Sequence, residues 1–245
     1  AFGLLRRAAA ARGEPAPRLL TSAEQDLIIR ELLADDVETA DDADTADRPV
    51  DDLADGATAA DGWAADGTGA VGWPAELRPA LRTRAFAEQL RDLLQRAAER
   101  GVDATELARL GQRLGRPDWV AAARFLRQYV AVLALRDVSN RGSVAYDNAE
   151  LVRAATASLA EDHDLLAAER RRLSYVYVDE LADTDPAQLD LLATVAGGGA
   201  PLVAFADPDS STYGFRGADP GGVTAFPQRF RTAAGAPART VGDRK

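Results

Sequence analysis

The chain has 245 residues, with 39 Asp and Glu against 29 Lys and Arg, for a formal net charge of −10. Its apolar share of 47% can fill one large domain or two small ones. The absence of cysteine excludes disulfides and thiolate metal centres. No stretch has the length and apolarity of a membrane span or a signal peptide, so a cytoplasmic protein without a membrane partner is expected.

Phe2 to Arg12 has an amphipathic helical pattern broken by Gly13. Pro15 and Pro17 predict extended chain after it. Thr21-Ser22-Ala23-Glu24 is an N-cap signal, and Leu27, Ile28, Glu31 and Leu32 keep helical spacing to about Ala34. Residues 35–72 are Ala, Asp, Gly and Thr with almost no apolar period, and read as a disordered acidic insertion. A plain loop insertion is the simplest account of it. A DNA mimic or partner-binding tail is the functional alternative, with Trp63 as a small anchor. This segment holds twelve Asp and Glu against one Arg, so the remainder is near neutral and the global charge says little about DNA affinity.

Order is expected to restart at Trp73-Pro74. Four helices come next: about Glu76 to Arg100, ended by Gly101; Ala104 to Leu114, capped by Asp103 and followed by Gly115; Asp118 to Arg136, behind Pro117; and about Asn148 to Arg172, capped by Asp147. His163, the single histidine, reads as a surface residue. Arg170-Arg171-Arg172 either contacts phosphate or simply complements a helix C-terminus, and the second is the simpler reading.

Tyr175-Val176-Tyr177-Val178 is β-branched and aromatic, which predicts a buried strand ending at Asp179-Glu180. Asp185-Pro186 then opens a helix to Ala196. Pro201 to Phe205 repeats the apolar run and ends at Ala206-Asp207-Pro208-Asp209. Neighbouring parallel strands that deliver carboxylates at their C-terminal ends are the layout of a nucleotide site on an open α/β sheet. Such carboxylates hold Mg²⁺ and orient or deprotonate an attacking water. Tyr213-Gly214-Phe215-Arg216-Gly217 bares an aromatic and an Arg between glycines, and Gly221 to Phe230 is a last short helix.

These residues carry a resemblance. Val178 to Gln188 resembles motif II, and Asp207 to Pro220 motif III, of superfamily I DNA helicases of the UvrD/Rep/PcrA kind. The resemblance implies an α/β fold, part of a RecA-like P-loop NTPase motor domain with a parallel sheet and an inserted α-helical subdomain. On it, residues 1–34 are a helical lead-in to subdomain 1B, 73–172 are subdomain 1B, and 173–245 are the C-terminal part of motor domain 1A. It implies ATP and Mg²⁺ as cofactors, with Asp179 as metal ligand, Glu180 as catalytic base, and Asp207 and Arg216 at the nucleotide. It implies single-stranded DNA and 3′-tailed duplex as partners, with Phe215 and Tyr213 on the nucleic acid. Two family glutamines are replaced here, by Ala182 and Ser210. The Mg²⁺ carboxylates stay while water-positioning amides are lost, a pattern similar to the AdnA-like subunit of actinobacterial helicase–nucleases, which would add a second helicase–nuclease subunit as partner.

The family's phosphate loop, Gly-x-x-x-x-Gly-Lys-Ser/Thr, does not occur in these 245 residues. The chain also lacks methionine and opens inside a helical pattern. An internal piece of a longer protein, inactive by itself, is therefore expected. Two readings stand: part of an ATP-dependent DNA helicase motor, or a degenerate motor that binds DNA or braces a partner without hydrolysis. A generic α/β nucleotide switch explains the acidic strands but not the second motif.

Overall fold

The computed structural model describes residues 1–45, 71–139, 143–197, 201–207, 214, 218–219, 221–232, 234–239 and 241. By its internal contacts the chain forms two units, one of residues 1–21, 95–102 and 136–245, the other of 22–94 and 103–135.

The first unit begins with α1 (Phe2–Arg12), which ends as Gly13 turns into the left-handed region at φ 68°. Extended chain behind the prolines supplies β1 (Arg18–Leu19), paired in parallel with β2 (Ala145–Tyr146). The last predicted helix of the block is two helices, α6 (Asn148–Glu161) and α7 (His163–Arg172). Asp162 explains the break. Its backbone is extended, and its side chain accepts from Leu165 N–H, so one residue ends α6 and caps α7. Leu4 and Leu5 of α1 pack with Leu151, Ala155 and Leu159 of α6. Leu191 and Val195 of α8 (Pro186–Ala196) cover this cluster.

The second unit is helical: α2 (Ser22–Thr45), most of α3 (Arg84–Glu99), α4 (Ala104–Arg113) and most of α5 (Pro117–Ser139). The predicted helix from Glu76 starts later. Pro79 sits in a short 3-10 turn at Arg78–Ala80, and Thr83 then caps α3 by accepting from Phe86 N–H. Trp73 lies edge-on to Phe86 at 5.2 Å and near Phe125 at 6.1 Å.

Residues 35–45 and 71–72 of the acidic stretch are among the described residues. Helix α2 does not stop near Ala34 but continues to Thr45. The cause is non-local: buried Asp36 accepts a 2.9 Å hydrogen bond from the Trp73 indole N–H. Val71 is buried as well, and its carbonyl accepts from Arg124. Burial, partly countered by the Trp73 hydrogen bond, holds the Asp36 carboxyl above its ordinary range. Trp63 lies outside the described residues.

In the first unit, β3 (Val176–Val178) pairs in parallel with β4 (Leu202–Ala204), with Tyr177 opposite Val203. The expectation of a buried strand is corrected here. Tyr175 and Tyr177 are 65% and 68% exposed, and Val203 and Phe205 share their face. Among the described residues no layer packs on that side, so aromatic character did not translate into burial.

Candidate functional site

The site lies where β3 and β4 end. Phe205 closes both sides of the Asp179-Glu180 pair. Its N–H donates to Val178 O at 2.8 Å, and its carbonyl accepts from Leu181 N–H at 2.9 Å. Two residues are thus looped out between two hydrogen bonds to a single partner. The loop is tight enough to force Glu180 to φ 52°, ψ 49°, the left-handed region. It is the one non-glycine residue with positive φ among those described. That conformation costs an L-residue about 1–2 kcal/mol, and such strain gathers at functional sites. The Glu180 N–H donates to Asp179 Oδ1 at 3.0 Å, which orients the first carboxylate.

The next five residues hold the loop in place. Leu181–Asp183 is one 3-10 turn with Leu181 and Ala182 buried. Thr184 bonds back to the Leu181 carbonyl through its hydroxyl. Asp185 opens α8 with a full capping box, reciprocated by Gln188. The Thr184 carbonyl accepts from Asp219 N–H at 3.0 Å, and Asp219 Oδ1 accepts from Gly221 N–H at the start of α9 (Gly221–Arg229). The acidic loop and α9 are therefore held by one backbone link.

Asp179, Glu180 and Asp207 line a cavity of about 460 Å³ with Phe226 and Arg239. The three predicted carboxylates all line this one cavity. Tyr213, Phe215 and Arg216, predicted at nucleic acid and nucleotide, lie outside the described residues, as does Ser210. Ala182 is 1% exposed and is not part of the cavity wall. Arg239 was missed by sequence reasoning, because nothing around it has a motif's spacing. His163 is exposed as expected. In the arginine triplet, Arg170 braces the end of α8 by donating to Thr194 O, while Arg171 and Arg172 stay exposed.

Among the described residues no three metal-ligating side chains converge. Mg²⁺ takes one or two carboxylates and completes its shell with water and phosphate oxygens. Asp179 and Asp207 offer such hard oxygen donors. The second unit has a cavity too, of about 430 Å³, walled by Trp73, Phe86, Leu90, Leu93 and Trp119. Its Arg116 is already held by Asp118 at 2.6 Å and lies 5.1 Å over the Trp119 ring. Among the described residues Asp118 is the one carboxylate on its wall.

Residues 1–231 match the UvrD/REP helicase N-terminal domain. The chain belongs to that family. The family implies a RecA-like α/β fold, of which β3, β4 and α8 supply a short parallel piece. A relative is the RecBCD enzyme subunit RecB of Mycolicibacterium smegmatis, 38% identical over 105 residues. That match covers 42% of this chain and 10% of the relative, so the chain corresponds to a small part of that protein. No helix among the described residues is long and apolar enough to cross a membrane.

Proposed function

We propose that this chain is part of the motor of an ATP-dependent DNA helicase acting in DNA repair or recombination. The carrying observation is the strained loop that Phe205 pins, which presents Asp179 and Glu180 to the cavity that Asp207 also lines. Asp179 and Asp207 would hold Mg²⁺, and bound Mg²⁺–ATP would supply the reacting γ-phosphate. Glu180, exposed and lining the cavity, would take the proton of the attacking water on its carboxylate. Tyr213 and Phe215 would stack on bases of single-stranded DNA, and Arg216 would couple that contact to the nucleotide. Residues 73–172 are assigned to helical subdomain 1B and 173–245 to motor domain 1A. The likeness to a subunit of a RecBCD enzyme supports a second protein subunit as partner, and the proposed location is the cytoplasm.

The test uses the whole protein with and without single-stranded DNA. Glu180→Gln should lower kcat by about 10²–10⁴ while leaving ATP affinity nearly unchanged. Asp179→Ala should weaken Mg²⁺-dependent nucleotide binding. The unmodified protein should unwind a 3′-tailed duplex. DNA-stimulated hydrolysis that survives Glu180→Gln would sink the reading.

One observation favours the degenerate-motor alternative. Where the family has an amide, Ala182 puts a buried methyl outside the cavity wall. On that reading the unmodified whole protein binds Mg²⁺–ATP and single-stranded DNA but does not turn over.

A further inference from the structure

The cavity at the ends of β3 and β4 has one guanidinium on its wall among the described residues, that of Arg239. The chain after α9 is built to deliver it. Thr232 N–H donates to Ala236 O at 2.8 Å, and Arg231 forms a β-bridge with Pro237. Ala238 N–H then donates to Pro227 O at 2.9 Å, which ties the residue before Arg239 to α9. The neighbouring arginines are engaged elsewhere. Arg229 pairs with Asp190, and Arg231 donates to Gly235 O. Arg239 is exposed on the cavity side and has no hydrogen bond or ion pair among the described residues.

Arg239 shares a cavity with three carboxylates and pairs with none of them, so its five N–H donors stay open to a ligand that enters there. Asp179 and Glu180 would repel a polyphosphate by themselves. One Mg²⁺ and one guanidinium would offset that negative charge and make room for phosphate. The planar fork of Arg matches two oxygens of one phosphate, which a lysine ammonium cannot do.

We propose that Arg239 grips a phosphate of the nucleotide bound at this site, as a binding residue additional to the acidic pair. The proposal rests on the nucleotide reading of the cavity. It places the contact on this chain's own segment after α9, so phosphate binding should lock that segment against the acidic loop.

The experiment measures binding of a fluorescent ATP analogue with Mg²⁺ to the whole protein, with adenosine as competitor. Arg239→Ala should weaken the triphosphate by about tenfold or more and leave adenosine competition unchanged. Arg239→Lys should recover part of the loss, because charge returns without the fork. Asp179→Ala is the control for the site itself. If Asp179→Ala weakens binding and Arg239→Ala does not, Arg239 is not a phosphate ligand and the nucleotide reading stands. If neither change affects binding, both ideas fail together. Equal loss of adenosine and ATP with a lowered melting temperature would make Arg239 a structural residue and overturn the proposal.

Discussion

Glu150 stands third in α6, and its carboxylate accepts from Asp147 N–H at 3.3 Å while Asp147 Oδ1 accepts from Glu150 N–H at 2.8 Å. Burial, and then the charge of Asp147, pushes the Glu150 carboxyl up to about 7. Asp137 adds to this, while Arg153 opposes it. Asp147 is raised as well, mainly by burial. The sign comes from the direction. A carboxyl raised on folding adds stability that is fully present below its unfolded value and lost as pH rises through 7. Stability should therefore fall between about pH 5 and pH 8 at this helix terminus. Glu150→Gln keeps an acceptor for the Asp147 N–H and removes the charge. The variant should be more stable than the parent at pH 8, by about 1–3 kcal/mol, and nearly equal to it at pH 4. Melting curves of both across that range decide the matter, and parallel pH profiles would show that Glu150 ionises freely.

At the scale of elements, the approach of α9 to α8 depends on a missing side chain. A Cβ at Gly222 would lie 2.6 Å from Leu189 Cδ1, and Leu189 is fully buried. Gly222→Ala should thus cost about 1–3 kcal/mol by overpacking. Because α9 is joined through Asp219 to Thr184 below the acidic loop, the same change should weaken Mg²⁺–nucleotide binding in the whole protein. A melting temperature equal to the parent's would mean that Leu189 moves aside at no cost. Such elements were legible in the sequence where the signal was local. Asp103, Asp147 and Asp185 cap the helices that they were expected to cap. The parallel strands that end in carboxylates were legible too, because a short apolar run and its acidic end are contiguous. Features that depend on distant partners were not. The Asp162 break hides inside a continuous helical pattern, and the strain at Glu180 comes from Phe205 beyond the end of another strand. Arg239 comes to the cavity only through the turn after α9.

At the scale of the whole chain, one acidic stretch carries much of the charge, while the described residues at its two ends make long-range contacts. Residues 46–70 contribute a net −5 of the chain's −10. On either side, order is set by a few contacts: Asp36 with the Trp73 indole, and Arg124 with the Val71 carbonyl. A cut based on composition alone, from Asp36 to Thr68, would remove one partner of the buried pair. It would leave the Trp73 N–H without its acceptor at about 1–3 kcal/mol, and it would also remove the last turns of α2. A cut from residue 46 to residue 70, closed by a short Gly-Ser linker, keeps every one of these contacts. It should change stability by no more than about 0.5 kcal/mol. Thermal unfolding of the two deletions, followed by helical circular dichroism beside the parent, separates the cases. The shorter deletion should melt with the parent, and the longer one clearly below it. If both fall equally, residues 46–70 carry stabilising contacts of their own. If neither falls, the Asp36–Trp73 contact contributes nothing to the second unit, and the extension of α2 to Thr45 needs another cause.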